Sequence, residues 1–159
     1  NINNLKKVYM TEGNHDRFTM QKDSNSRKGV GEVLAYFLAE NTSVPIVYHP
    51  FMVSDEIDGL YHICTHGDYR SFQKNGYDTF FFKYGKQGMY NVLKTGHLHR
   101  FNIMSQTDEY MHYECPSIFT GGFLEEALGY NSLPAITIIQ NIDYLCNIDY
   151  RTLCKYNKS

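Results

Sequence analysis

The sequence predicts an α/β protein, because one strong helical pattern is set among short apolar runs that are typical of strands. The helix is expected at 29–40, where apolar residues recur at helical spacing and form one stripe: Val30, Val33, Leu34, Phe37 and Leu38. The dipeptide Asp58-Gly59, which favours a two-residue hairpin turn, separates two of the strand-like runs. Beyond Thr95 the pattern is mostly that of strands.

The first part of the chain is expected to hold one helix and four strands. Residues 1–7 are expected to end a helix and to lead into a strand. Ser26 is the expected N-cap of the helix at 29–40, Asn41 and Pro45 are expected to end it, and its apolar stripe is expected to cover a sheet. The four strands are expected at 8–10, 46–48, 51–57 and 60–65.

The second part is expected to begin with a helix at 78–86. It contains Phe80, Phe81 and Phe82, and three adjacent phenylalanines leave at least one facing away from a simple core stripe. There is no internal repeat, so one domain is expected over 1–159. The other expected elements are strands at 89–94, 101–105, 110–115, 135–140 and 144–153, helical turns at 123–128, and polar loops at 18–27 and 69–77.

The composition is that of a globular protein without a bulk charge signal. The chain has 159 residues, of which 42% are hydrophobic and 15% aromatic, and its formal net charge is −2. That charge gives no bulk indication of a nucleic-acid partner. Four cysteines without a Cys-x-x-Cys pair argue against a disulfide framework. No apolar run is long enough to span a membrane, so a cytoplasmic location without a membrane partner is expected.

Three polar loops that carry histidine each follow a predicted strand. They are Gly13-Asn14-His15-Asp16, His66-Gly67-Asp68 and Gly96-His97-Leu98-His99. In open α/β sheets, sites collect at the carboxyl ends of the strands, so three such loops on one sheet edge predict one shared site.

The third of these loops is the strongest candidate for metal binding. His97 and His99 are two positions apart after a strand, and alternate strand residues point the same way. Neutral imidazole is a common metal ligand. Gly96, directly before them, lets the backbone come close to a bound group.

These motifs, in this order, resemble the second half of the signature of the calcineurin-like metallophosphoesterases. That family carries Asp-x-His, Gly-Asp-x-x-Asp, Gly-Asn-His-Asp or Glu, an isolated His, and Gly-His-x-His. The last three are present here and the first two are absent. The resemblance implies a metallo-dependent phosphatase-like αββα sandwich, of which this chain would be the C-terminal portion, as a fragment or a processed product.

The resemblance also assigns roles to individual residues. Asn14, His66 and His97 would be ligands of one metal ion, and His99 would be a ligand of a second. His15 would face the substrate as general acid or charge stabiliser, and Asp16 would orient it. The implied cofactors are two divalent ions, with Mn²⁺ first and Fe, Zn²⁺ or Ni²⁺ as alternatives.

Several of these residues also have an ordinary structural interpretation. Gly-Asn-His-Asp is a typical turn sequence for backbone reasons alone. Arg17 suits a contact with a substrate phosphate but equally suits a solvated surface. His62 is expected to be a solvated or cross-strand residue, and His112 an ordinary hairpin residue.

The expected function is metal-dependent hydrolysis of phosphodiesters, in the manner of the nuclease members of the family, by a hydroxide activated between two ions. Nucleic acid is one possible substrate, although Lys83, Lys86, Lys94 and Arg100 are too scattered to establish it. Without a bridging carboxylate, this chain alone is expected to bind one ion at most and to turn over slowly. The alternatives are a phosphomonoesterase or protein phosphatase, and a non-catalytic binding or scaffold module of the same fold.

Overall fold

The computed structural model describes residues 4–14, 16, 29–68, 78–118, 134–142 and 145–152, and the architecture there is mixed α/β, as predicted. The elements in chain order are β1 (Val8–Met10), α1 (Val30–Asn41), β2 (Ile46–Tyr48), β3 (Met52–Ile57), β4 (Leu60–Thr65), the helical segment α2 at 78–84, β5 (Tyr90–Thr95), β6 (Asn102–Gln106), β7 (Tyr110–Glu114), β8 (Ala135–Ile142) and β9 (Leu145–Thr152). The predicted loops at 18–27 and 69–77 and the helical turns at 123–128 lie outside the described residues.

The largest sheet has five strands in the order β3-β4-β5-β7-β6. Its three central strands are parallel, and each edge strand is antiparallel to its neighbour. The carboxyl ends of β4, β5 and β7 therefore lie at the same edge of the sheet. The hairpin between β3 and β4 turns at Asp58 and Gly59, whose φ angles of 50° and 79° are both positive, as a type I′ turn requires. The predicted hairpin is confirmed.

Both faces of this sheet are covered. On one face, Ile63 and Leu93 are fully buried against Phe80 and Phe81 of α2. The adjacent Phe82 is 90% exposed, so the prediction that one of the three phenylalanines faces away is confirmed. The opposite face carries a second cluster, formed by Leu60, Val92, Met111 and Tyr113, against which Ile139 of β8 packs.

The orientation of α1 differs from the prediction. Its apolar stripe does not cover a sheet, since Val33 is 58% and Phe37 59% exposed among the described residues. The buried residue of the helix is Ala35, and a Cβ on Gly31, one turn earlier, would meet Glu12 at 2.8 Å. The helix therefore approaches its neighbours with its small residues, because a bulky stripe would not fit so close to a buried side chain.

The start of α1 is also held differently. The expected N-cap, Ser26, lies outside the described residues, and Gly29 occupies the cap position without a side-chain cap. The backbone amides of the cap residue and of the first helical residue both donate to the loop after β1. Gly29 N–H donates to Glu12 Oε1 at 3.0 Å, and Val30 N–H donates to the Asp16 carbonyl at 2.7 Å. Long-range partners thus replace the local cap.

β1 is not part of the five-stranded sheet. It pairs in parallel with β2 in a separate two-stranded sheet, so the expectation that all three histidine loops follow strands of one sheet is wrong. Residues 5–7 lead into β1 without helical structure, and residues 1–3 of the predicted helix end lie outside the described residues. In the described part of the chain, no helix has the length and apolar character needed to cross a membrane.

Two histidines outside the motifs are buried. His62 is 8% exposed and lies opposite Asp55 and Val92, so the cross-strand interpretation holds and the solvated one is wrong. His112 is 1% exposed, and its Nε2 lies 2.9 Å from Thr95 Oγ1. Burial lowers the pKa of both rings from the usual value of 6.5 to about 4, so both are neutral at pH 7.

Candidate metal centre

The loops after β4 and β5 are tied together by backbone hydrogen bonds. The Gly96 and His97 amides both donate to the His66 carbonyl, each at 3.0 Å. This arrangement follows from the parallel pairing of β4 with β5, which brings their carboxyl ends side by side. His66 and His97 therefore come from neighbouring strand ends, and their ring centroids lie 4.9 Å apart.

The loop after β1 adds a third donor atom to this pair. His66 Nε2 lies 2.7 Å from Asn14 Oδ1 and 3.1 Å from His97 Nδ1. Asn14 is 52 positions and His97 31 positions away from His66 in the sequence. The structure thus brings together the three residues to which the resemblance assigns one metal ion.

A glycine shapes the space around His66. A Cβ on Gly13 would lie 2.9 Å from His66 Cε1, which is closer than real Cβ atoms come, and 3.0 Å from its Nδ1, which is tighter than most Cβ contacts. A Cβ on Gly96 would meet nothing within 4 Å in the described residues. Gly13 therefore permits a close approach to the imidazole of His66, whereas the expected approach of Gly96 to a bound group stays a prediction.

Asp16 closes the loop that presents Asn14. Its Oδ2 accepts the Gly13 amide at 2.7 Å, and its own amide donates to the Gly13 carbonyl at 3.3 Å. The turn interpretation of Gly-Asn-His-Asp thus describes its backbone, and it is compatible with Asn14 Oδ1 facing His66. His15 lies outside the described residues, as does Arg17.

Glu12 is a positioning residue that sequence reasoning missed. It is 7% exposed, and its Oε1 accepts hydrogen bonds from the Gly29 amide at 3.0 Å and from the Tyr48 hydroxyl at 2.5 Å. This buried carboxylate joins the loop after β1 to the start of α1 and to β2. Its hydrogen-bond partners are 17 and 36 positions away in the sequence, so no local sequence pattern predicts this role for Glu12.

The electrostatic surroundings keep His66 available as a neutral ligand. Burial of the ring lowers its pKa from the usual value, and the charges of His97 and His99 act in the same direction. Asp68 and Asp16 raise that pKa but do not outweigh burial. A ring that is neutral at pH 7 does not have to lose a proton before it can bind a metal ion.

His99 is placed by a turn rather than by a continued strand. β5 ends at Thr95, the His99 amide donates to the Gly96 carbonyl at 3.2 Å, and His99 has a φ of 54°. The alternation argument that made His97 and His99 face one point is therefore wrong, because it holds only in extended backbone. His99 still lies close enough to His66 for its charge to affect that ring.

The donor set fits one ion. Two ligands at right angles on an ion, each at about 2.1 Å, lie roughly 3.0 Å apart, close to the 2.7 Å and 3.1 Å that separate His66 Nε2 from the other two donor atoms. Among the described residues, no three side chains of histidine, cysteine, aspartate or glutamate are arranged to hold a metal. The set is thus two imidazoles and an amide oxygen, without the carboxylate that a bridged pair of ions needs.

One more charged pair lies at this edge of the sheet. Glu114, the last residue of β7, is 5% exposed and accepts a hydrogen bond from Arg100 Nε at 2.9 Å. Arg100 directly follows His99, and its side chain is 54% exposed. A buried carboxylate thereby holds a guanidinium beside the histidine loops.

Comparisons with other proteins add no family to this description. No protein-family model, curated protein or solved structure matches the chain.

Proposed function

We propose that this chain is the C-terminal portion of a metal-dependent phosphoesterase that acts on phosphodiesters. The observation that carries the proposal is the convergence of Asn14 Oδ1, His66 Nε2 and His97 Nδ1, which lie 2.7 and 3.1 Å apart in sequence-distant loops. The proposal includes the αββα sandwich. The parallel strands β4, β5 and β7, with α2 on one face and β8 on the other, are compatible with part of that fold.

The chain's own residues would hold and orient the reacting groups. A bound divalent ion would supply positive charge for the phosphoryl oxygens and would lower the pKa of water. Asn14, His66 and His97 are neutral donors, so they would leave the charge of that ion available to an anionic substrate. Gly13 and Asp16 would fix the loop that presents Asn14, through packing on His66 and the turn hydrogen bonds.

The remaining roles follow the resemblance. His15 would donate a proton to the leaving group or stabilise charge, and His99 would bind a second ion, whose other ligands would include the carboxylates of the two absent motifs. Arg17 is proposed as a substrate contact on its chemistry alone. Arg100 is a better supported phosphate contact, because Glu114 holds it beside the histidine loops and guanidinium pairs well with phosphate oxygens.

A non-catalytic binding module is the second candidate. It is favoured by the neutral donor set, since the described residues supply no carboxylate bridge between two ions. In such a module, one weakly held ion would serve structure or recognition rather than hydrolysis.

The test is hydrolysis of bis(p-nitrophenyl) phosphate and of p-nitrophenyl phosphate, with Mn²⁺ and with chelator. The proposal predicts slow, chelator-sensitive hydrolysis that prefers the diester and is lost in His97→Ala. In His15→Asn, activity is expected to fall by about 10²-fold or more while Mn²⁺ binding is unchanged. Wild-type binding of Mn²⁺ without any hydrolysis would favour the binding module, and hydrolysis that survives chelation would refute both.

A further inference from the structure

A cavity lies away from the histidine loops, on the sheet face that carries Leu60, Val92, Met111 and Tyr113. Its volume is about 610 Å³, which is within the usual range of roughly 300–1,000 Å³ for sites that bind small organic molecules. Part of its wall is apolar and is formed by three residues: Leu5, which precedes β1, Ile57 at the end of β3, and Ile139 on β8. The rest of the wall is more polar and includes the side chains of Lys94, His62 and Asp58.

Lys94 is the cation inside this cavity. It lies on β5 between its cross-strand partners Cys64 and Tyr113, so its side chain shares their face of the sheet. The side chain is partly buried, and none of the carboxylates in the described residues forms an ion pair with it. Its hydrogen-bond partner is the neutral Cys64 thiol, so the ammonium group has no countercharge here and the position favours an anion.

His62 supplies a second nitrogen to the same cavity. The residue is 8% exposed, and its Nδ1 has no hydrogen-bond partner in the described part of the chain. Burial, with a smaller contribution from the nearby charge of Lys94, lowers its pKa to about 4, although the charge of Asp58 acts in the opposite direction. The ring is therefore neutral at pH 7 and can donate one N–H without adding charge.

Two other charged residues line this cavity, Lys7 and Asp58. Lys7 is paired with Asp55 at 2.7 Å, and Asp58 also reaches the cavity wall. Lys7 is largely exposed, so the Lys7–Asp55 pair is screened by solvent and contributes little to the field inside. At His62, the charge of Lys94 acts more strongly than the opposing charge of Asp58, so the cation has the larger influence on which ligand the interior prefers.

We propose that this cavity binds a small organic anion, whose oxyanion end is held by Lys94 Nζ and His62 Nδ1 and whose apolar body packs against Leu5, Ile57 and Ile139. The cavity volume is many times that of one water, whose share of the liquid is about 30 Å³, so a bare inorganic ion would leave most of it unfilled. The ligand is therefore expected to carry an aliphatic or aromatic body on a carboxylate or phosphate head. This site is separate from the metal centre and does not depend on it.

Calorimetric titration with octanoate, octyl phosphate, octanol and inorganic phosphate, in the presence of chelator, tests this proposal. The two amphiphilic anions are expected to bind, and octanol and inorganic phosphate to bind at least about tenfold more weakly, since each lacks one half of the recognition. Comparison of octanoate with octyl phosphate identifies the preferred head group. The chelator keeps metal-dependent phosphate binding at Asn14, His66 and His97 from contributing.

Lys94→Met removes the charge while keeping a similar apolar length, and it is expected to weaken octanoate binding by about tenfold or more. The matched control is Lys83→Met, because Lys83 lies on α2 beside Tyr84 on the other side of the sheet. In the wild type, octanoate is expected to shift the ring NMR signals of His62, so this readout does not depend on whether Lys94→Met folds. Failure of both amphiphilic anions to bind, or equal binding by Lys94→Met and wild type, would overturn the proposal.

Discussion

Replacement of Gly13 by alanine should weaken metal binding at the proposed centre without changing any of its proposed ligands. The new Cβ would stand 2.9 Å from His66 Cε1, whereas ordinary contacts begin at 3.4 Å, so the ring must recede by about 0.5 Å or the loop must move by that amount. Either movement changes the 2.7 Å separation of His66 Nε2 from Asn14 Oδ1. Displacements of this kind behind a ligand typically cost 10- to 100-fold in metal affinity, and we expect that loss for Mn²⁺.

The control is Gly96→Ala, since its Cβ would meet no described atom within 4 Å. Mn²⁺ affinity is measured by the electron paramagnetic resonance signal of free Mn²⁺ during titration, and thermal unfolding of both variants shows that each one folds. The reasoning predicts an affinity loss in Gly13→Ala and no more than about a twofold change in Gly96→Ala. Equal loss in both variants, or wild-type affinity in Gly13→Ala, would refute it.

Three predictions concern stability and use urea unfolding. His62 and His112 have pKa values of about 4 in the folded protein and near 6.5 in the unfolded chain, so between pH 7 and pH 4 only the unfolded chain is protonated at these residues. Each histidine is therefore expected to lower the free energy of unfolding by up to roughly 3 kcal/mol as the pH falls to 4. His62→Gln should reduce this dependence of stability on pH. Glu12→Ala is expected to cost about 2–4 kcal/mol, because it leaves the buried Gly29 amide and the Tyr48 hydroxyl without an acceptor. Leu93→Ala is expected to cost about 2–5 kcal/mol at a fully buried site, while Phe82→Ala, at a 90% exposed site, should change stability by no more than about 0.5 kcal/mol.

Each of these predictions has a contrary result. A flat stability profile between pH 7 and pH 4 would mean that neither histidine is buried as described. Wild-type stability in Glu12→Ala would mean that the loop after β1 does not depend on α1. Similar losses at Leu93 and Phe82 would contradict the assignment of the core to one side of α2.

The sequence predicted the elements whose causes are local. Asp58-Gly59 specifies its own turn through positive φ angles, and the hairpin follows from it. The strand ends that carry His66 and His97 were predictable because β4 and β5 show apolar patterns that end at the histidine loops. Their adjacency needed only parallel pairing, which the chain adopts.

Features set by distant partners were not predictable. The apolar stripe of α1 predicts that the stripe is buried. Instead, Glu12 packs against Gly29 and Gly31, so the helix face with small residues lies inward. For His62 the solvated and cross-strand interpretations both stayed open, because the strand pattern does not reveal that β8 lies over that face of the sheet. His99 was misjudged because a turn with φ of 54° replaces the extended backbone assumed after β5.

The most direct test of the central claim is a crystal of this chain soaked in Mn²⁺, with anomalous scattering data collected at the manganese edge. The account predicts one strong anomalous peak at about 2.0–2.3 Å from Asn14 Oδ1, His66 Nε2 and His97 Nδ1. A peak that these three atoms do not share, or no peak at Mn²⁺ concentrations that saturate binding in solution, would contradict it.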